Sequence, residues 1–276
     1  MTTPPFEIIC EIEPPARPDV SRLHDQLEVL GPLTSRFLVP DNHTARATVS
    51  SLVLASDIDR AGGRSIACLN ARDRNLLGLR RDLLTAQYCG IDDLLLVYGD
   101  RPARRSTPRE PGLTVRAMLD EVRTTSPDHA VRAAVTSRLE PLPTWKRDAD
   151  ALFVQVTYEL GALLRWRDAV RFDGPIYAGV LVPSSARMAR RLGDRVPELR
   201  MPAPWLDALA ENDLAGVALA THHLEQIRSS GAFDGAHLVC GSRARDVVAH
   251  LAVDVEPCGD EQRRVHRTPW RSRALA

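Results

Sequence analysis

Lysine is nearly absent from this chain. Of the 36 basic residues, Lys146 is the one lysine; the others are arginines. Schiff-base chemistry needs a lysine amine within the site, and Lys146 falls ahead of the sixth strand candidate, at the wrong end of it. Net charge is absent too: 36 basic residues meet 36 acidic ones. That removes the broad attraction to nucleic acid or an anionic membrane. No apolar run reaches the roughly 18 residues of a membrane span. The opening "MTTPPFE" has neither a basic n-region nor an apolar h-region, so no signal peptide is expected. The five cysteines (Cys10, Cys68, Cys89, Cys240 and Cys258) are odd in number and show no C-x-x-C spacing. Cys10, Cys68 and Cys240 lie in apolar runs and read as reduced, mostly buried thiols of a cytoplasmic protein. No G-x-G-x-x-G, P-loop, H-E-x-x-H or G-x-S-x-G sequence occurs. No metal site is expected, and His222 and His223 read as surface or core residues of a helix.

What is present is an alternation. Hydrophobic residues make up 44% of 276, enough for a large core. Short β-rich runs at 6–13, 36–41, 64–71, 93–100, 129–137, 151–158, 175–183 and 235–241 alternate with helix-length segments. Several of the runs are apolar without alternation, as parallel strands covered on both faces are. Helical segments are expected at 19–31, 74–90, 114–124 and 160–170. Three more, at 185–194, 202–213 and 214–231, lie between the seventh and eighth strands, and a last one covers 242–252. The first carries Val20, Leu23, Leu27 and Leu30 on one stripe and closes at Gly31. Eight strands predict a (β/α)8 TIM barrel over 1–252 with a helical insertion before the last strand. An open doubly wound sheet is the alternative. The stretch 253–276 reads as a C-terminal tail without periodicity, loosely ordered or anchored on the barrel by Trp270. Residues 99–112, rich in Pro and Arg, read as a long loop.

Barrel enzymes carry their chemistry at the C-terminal ends of the strands. That explains why "IICEIEPP" ends an apolar strand in Glu11 and Glu13: the two carboxylates share one side of the strand, and the lumen or rim suits them better than the helix side. Asp41, Asn42 and His43 follow the second strand; Asn70, Arg72 and Asp73 the third; Tyr98, Gly99 and Asp100 the fourth. Ser137 and Arg138 end the fifth, Gln155 and Thr157 lie in the sixth, and Ser184, Ser185, Ser242 and Arg243 follow the last two. Each has a plainer reading. Glu11 and Glu13 could pair with arginines, Asp100 could be a turn residue, Asn70 a helix cap, Gln155 a core amide, and Arg243 the partner of a protein carboxylate.

The segments "CEIEPP", "CLNARDRN", "LLLVYGDRP" and "ADALFVQV" resemble, in order and spacing, the motifs of the methylenetetrahydrofolate reductases. Members of that family read roughly F-E-F-F-P-P, H-L-T-C-R-D-R-N, L-R-G-D-x-P and A-D-x-x-x-T-Q at these points. The likeness runs from about residue 6 to 250, with "PIYAGVLVPSSARMARRL" similar to the seventh strand and its helix. It implies a TIM barrel that reduces 5,10-methylenetetrahydrofolate to 5-methyltetrahydrofolate with NAD(P)H, usually through FAD. By the same resemblance Glu11 is the general acid that opens the folate ring. Asp100 lies beside the pterin, Gln155 and Asn70 contact the substrate, and Arg243 meets the glutamate tail. Cys68, Tyr98 and Gly99 fall at cofactor positions. The chemistry is consistent: a departing ring nitrogen needs a proton donor, and the cation left behind needs a nearby carboxylate.

The departures from the family pattern are concentrated. Cys68 replaces a flavin-contacting histidine, and Tyr98 replaces the arginine of L-R-G-D. The fifth-strand Y-P-E-x-H-P is missing. Met188 and Leu192 stand where glutamine and phenylalanine are common, and Glu13 stands at a usually aromatic position. Folate-side positions persist while flavin-side positions do not. The expectation is a reductase using NADH by direct hydride transfer without tightly bound flavin. The alternatives are a conventional FAD enzyme and a non-catalytic folate-binding partner protein.

Overall fold

A computed structural model describes residues 5–100, 112–126 and 131–252. The expected tail with Trp270, and most of the Pro/Arg-rich loop, lie outside the described residues. The strands are β1 (Glu7–Glu11), β2 (Arg36–Val39), β3 (Arg64–Asn70), β4 (Asp93–Val97), β5 (Arg132–Ser137), β6 (Ala151–Val154), β7 (Ile176–Leu181) and β8 (Gly235–Val239). They pair in sequence order, all parallel, and β1 closes on β8 through Ile9 opposite His237 and Cys10 opposite Leu238. The chain is a (β/α)8 TIM barrel.

The helices are α1 (Ser21–Leu30), α2 (Ser51–Arg60), α3 (Leu76–Cys89), α4 (Val115–Thr125), α5 (Leu160–Ala169), α6 (Ala186–Arg195), α7 (Ala203–Glu211), α8 (Ala215–Ser229) and α9 (Ala244–Ala252). α6, α7 and α8 fill the β7–β8 connection, which is the expected insertion. Local caps set the boundaries. Asn75 accepts from the Gly78 amide and Thr114 from the Ala117 amide, while Gly90 ends α3 at φ 71°.

The helices differ from expectation at one place. α2 was not expected: Leu52, Leu54, Ala55 and Ile58 are buried on it, but the apolar Val53 between them is half exposed and blurs the period. Between β5 and β6 no α-helix forms; a 3-10 turn, Thr144–Asp148, takes its place. The strands are also shorter than expected at their C-terminal ends, so Tyr98, Gly99, Asp100 and Gln155 stand in the loops beyond them.

Side chains alternate along each strand. One set (Cys10, Phe37, Val39, Ala67, Leu69, Leu94 and Leu96 among others) packs under the helices. The other set (Ile9, Leu38, Ile66, Cys68, Leu95, Ala134, Phe153 and Tyr177) fills the lumen. The lumen is therefore a packed plug, and only its upper end is open to chemistry. Beneath the plug lies a polar floor. Arg36 on β2 bonds Glu7 at 2.5 Å and Asp93 at 2.9 Å, and the Tyr177 hydroxyl donates to Glu7 at 2.9 Å. Burial pushes the Tyr177 phenol up to about 12.

Candidate active site

Because Ile9 faces the lumen, Glu7 below it and Glu11 above it share that face. Glu11 is the last residue of β1, level with Leu38 of β2, and its side chain is 17% exposed. Its neighbour is His237, on the inward face of β8. The Nε2 nitrogen lies 3.2 Å from Glu11 Oε2, with that side chain 15% exposed. The contact is close but out of line for a hydrogen bond, and His237 Nε2 has no aligned partner among the described residues. The edge of the Phe153–His237 pair is fixed at a centroid distance of 5.8 Å and 71°, an edge-to-face packing that holds the imidazole. Sequence reasoning passed over His237. The signal was there: a lone polar residue inside the apolar run "GAHLVC", of the same kind that drew attention to Gln155.

Gln155 shares the parity of Ala151 and Phe153, which puts it on the lumen side just above the plug. Its backbone amide continues the ladder to the Ser137 carbonyl at 2.8 Å. Its carboxamide has no hydrogen-bond partner among the described residues and is only partly buried. Three polar groups thus stand on the lumen side at the mouth: the acid–imidazole pair of β1 and β8, and the amide after β6, separated from β8 by β7.

Cys68 lies inside the plug, 4% exposed. Burial first, and then the nearby Glu11 and Asp41 carboxylates, hold its thiol well above the usual range. It is an uncharged filler of the lumen rather than a surface that a mouth-bound cofactor could stack on.

Asn70, expected to contact substrate, is fully enclosed. Its Nδ2 donates to Asp41 Oδ2 at 2.7 Å, its Oδ1 accepts from the Asp73 amide at 2.8 Å, and Arg74 bridges Asp41 to Asp82. This network ties the ends of β2 and β3 together beneath the rim, and leaves the Asn70 amide occupied by the protein. Gly99 approaches it closely. At φ 94° a Cβ there would stand 3.1 Å from Asn70 Cβ and 3.3 Å from Arg72 Cβ, so glycine lets the β4 loop lie against the β3 loop.

The remaining expected residues are spread along the rim. Tyr98 is exposed. Asp100 lies 3.8 Å from His43 Nδ1, with both side chains about half exposed, on the β4 side of the mouth. Arg243 sits in the 3-10 turn after β8. It donates to the Ser184 carbonyl at 3.0 Å and to Asp246 at 3.2 Å, which fastens that turn to the start of the insertion. His223 is a core residue of α8: its Nε2 lies 2.9 Å from the Thr157 carbonyl, and burial holds the imidazole below its usual range. It supports the loop that follows Gln155. Lys146 differs from expectation. Its ammonium reaches back to the Thr136 carbonyl near the end of β5 at 2.8 Å, and burial lowers its pKa. A separate concavity of about 540 Å³ lies on the outer wall where the β5–β6 helix is missing, lined by Leu139, Leu142 and Trp166 with Arg147, Arg165 and Arg171. It shares no residue with the mouth.

No protein-family model matches the chain, and no curated protein matches it. Solved structures do. An uncharacterized protein from Clostridium thermocellum, which binds two copies of 5-methyl-5,6,7,8-tetrahydrofolic acid, is 12% identical. It aligns with a TM-score of 0.62 over 91% of this chain and 96% of that one. Tryptophan synthase from M. tuberculosis aligns at 0.51 and 14% identity over 92% and 94%. A mutant tryptophan synthase alpha-subunit from Pyrococcus furiosus aligns at 0.51 and 10% over 91% and 96%. At these identities the shared property is the barrel itself.

Proposed function

We propose that the mouth of this barrel binds a reduced folate and that the chain reduces 5,10-methylenetetrahydrofolate to 5-methyltetrahydrofolate with NADH. The observation that carries this is Glu11: a carboxyl facing the lumen at the end of β1, mostly shielded from water and paired with no arginine or lysine among the described residues. Likeness in fold to a barrel that binds 5-methyltetrahydrofolic acid supports a folate in the mouth.

The reaction breaks one carbon–nitrogen bond of the bridging methylene and forms one carbon–hydrogen bond. Glu11 gives its proton to the departing ring nitrogen. The iminium that results is cationic, and Asp100 on the opposite rim contributes negative charge to it. The Gln155 amide, without a partner among the described residues, meets the pterin edge, whose donors and acceptors match a carboxamide. Arg243 lies at the rim, where a glutamate tail would leave the mouth. NADH then delivers hydride to the iminium carbon.

FAD, the usual relay in the family this sequence resembles, does not fit the residues present. Cys68, sealed in the plug, stands where that family has a flavin-contacting histidine, and Tyr98 stands in place of its arginine, so both of those flavin-side groups are lost. The loss of these groups favours direct transfer from NADH. Purified Glu11→Ala tests the acid. NADH oxidation should be lost while 5-methyltetrahydrofolate still binds; undiminished turnover would remove Glu11 from the role. The shared fold with a folate-binding barrel favours one other reading, binding without catalysis. Folate binding by the wild-type protein with no NADH oxidation would select it.

A further inference from the structure

We infer that His237 is a positioning residue that reloads Glu11 with a proton between turnovers, so that the two side chains work as one proton-carrying pair. This inference rests on the reductase reading of the same mouth. The stoichiometry demands something of the kind. Each turnover breaks a carbon–nitrogen bond, gives the nitrogen a proton from Glu11 and gives the carbon a hydride from NADH, which leaves as NAD⁺. Glu11 is left one proton short every cycle, in a place where water reaches only 17% of its side chain.

The geometry supplies the donor. His237 Nε2 is 3.2 Å from Glu11 Oε2, within reach of proton transfer after a small rotation of either group. Its ring is held edge-on by Phe153, and its Nε2 is committed to no other partner among the described residues. A buried nitrogen left without an aligned partner is costly, and here it lies beside the one carboxyl that the chemistry empties, 3.2 Å away. Among the described residues, two side chains are in direct contact with His237: Glu11 from β1 and Phe153 from β6. The other titratable groups on the lumen side are Cys68 of β3 and Tyr177 of β7, with Glu7 and Arg36 in the floor. The Cys68 thiol is held protonated by burial, and the Tyr177 hydroxyl is directed down to Glu7. Neither competes for the Glu11 proton. The proton path is then from Glu11 to the ring nitrogen, from His237 to Glu11, and from solvent to His237.

His237→Gln puts a carboxamide of similar reach in place of the imidazole, but it cannot carry the proton. With NADH and 5,10-methylenetetrahydrofolate, kcat should fall on the order of 100-fold, the usual range for a lost acid–base group, while KM for the folate stays within about twofold. Its activity should also begin to decline at a lower pH than the wild type, because Glu11 must refill directly from solvent. A melting temperature near wild type separates this from a folding defect, and a His237→Asn variant should show the same split. A His237→Gln enzyme with wild-type kcat and pH profile, beside an inactive Glu11→Gln, overturns the relay and leaves the reductase reading standing. A variant in which KM rises while kcat holds assigns His237 to substrate binding and likewise overturns the relay. No NADH oxidation by the wild type overturns both.

Discussion

Glu7 and Glu11 are four residues apart on β1 and face the same lumen, yet only Glu7 is neutralised by the protein. Arg36 and the Tyr177 hydroxyl both reach it, whereas among the described residues Glu11 meets only His237, in a contact that is not aligned as a hydrogen bond. One strand thus carries a structural carboxylate at its base and a chemically available one at its mouth.

The base predicts a stability effect. Arg36→Met removes the cation that Glu7 and Asp93 share, leaving Asp93 to Arg132 at 2.7 Å and Glu7 to Arg64 at 3.8 Å. Loss of these charge-assisted hydrogen bonds should cost about 1–3 kcal/mol, which a urea titration at neutral pH would measure. An Arg36→Met protein as stable as wild type would mean that the floor contributes nothing.

The same floor predicts an alkaline dependence. The Tyr177 phenol is raised from its ordinary 10.0 to about 12, chiefly by burial. The folded state therefore holds this proton more tightly than the unfolded state does. Its contribution is fully present below about pH 10 and is lost as the pH climbs through about 12. Urea midpoints at pH 9 and pH 11 should show a fall that Tyr177→Phe reduces; part of it remains because Tyr158 is raised in the same way.

Gly99 and Gly62 offer a controlled comparison. Both have positive φ, 94° and 87°, but a Cβ at Gly99 meets Asn70 at 3.1 Å while one at Gly62 meets nothing within 4 Å. Gly62→Ala should cost about 1 kcal/mol of backbone strain. Gly99→Ala should cost about 1–3 kcal/mol more, and should weaken folate binding because the rim must shift. Equal melting temperatures would contradict the close approach.

Gln155→Ala and Asn70→Ala should behave oppositely. The Gln155 amide has no partner to lose among the described residues, so its removal should leave the melting temperature alone and weaken 5-methyltetrahydrofolate binding by about tenfold. The Asn70 amide is bound to Asp41 and the Asp73 amide. Its removal should cost about 1–3 kcal/mol of stability, seen as an earlier thermal transition. Calorimetric binding beside thermal melts separates the two.

The barrel was legible because parallel strands covered on both faces read as apolar runs, and eight of them recur with helices between. α2 was not, since Val53 interrupts its stripe while facing outward. Glu11 and Gln155 were visible as polar residues in apolar strands, and His237 carried the same signal in β8. Its importance comes from a contact between the first and last strands, which barrel closure alone creates. The enclosure of Asn70 was likewise hidden, because Asp41 and Arg74 reach it only once the β2 and β3 loops pack together.

The measurement that bears most directly on the central claim is NADH oxidation by the purified protein with 5,10-methylenetetrahydrofolate and no added FAD, its visible spectrum recorded on the same sample. Direct hydride transfer predicts turnover with no flavin absorbance. Turnover that begins only when FAD is supplied would contradict it and return the hydride to a flavin.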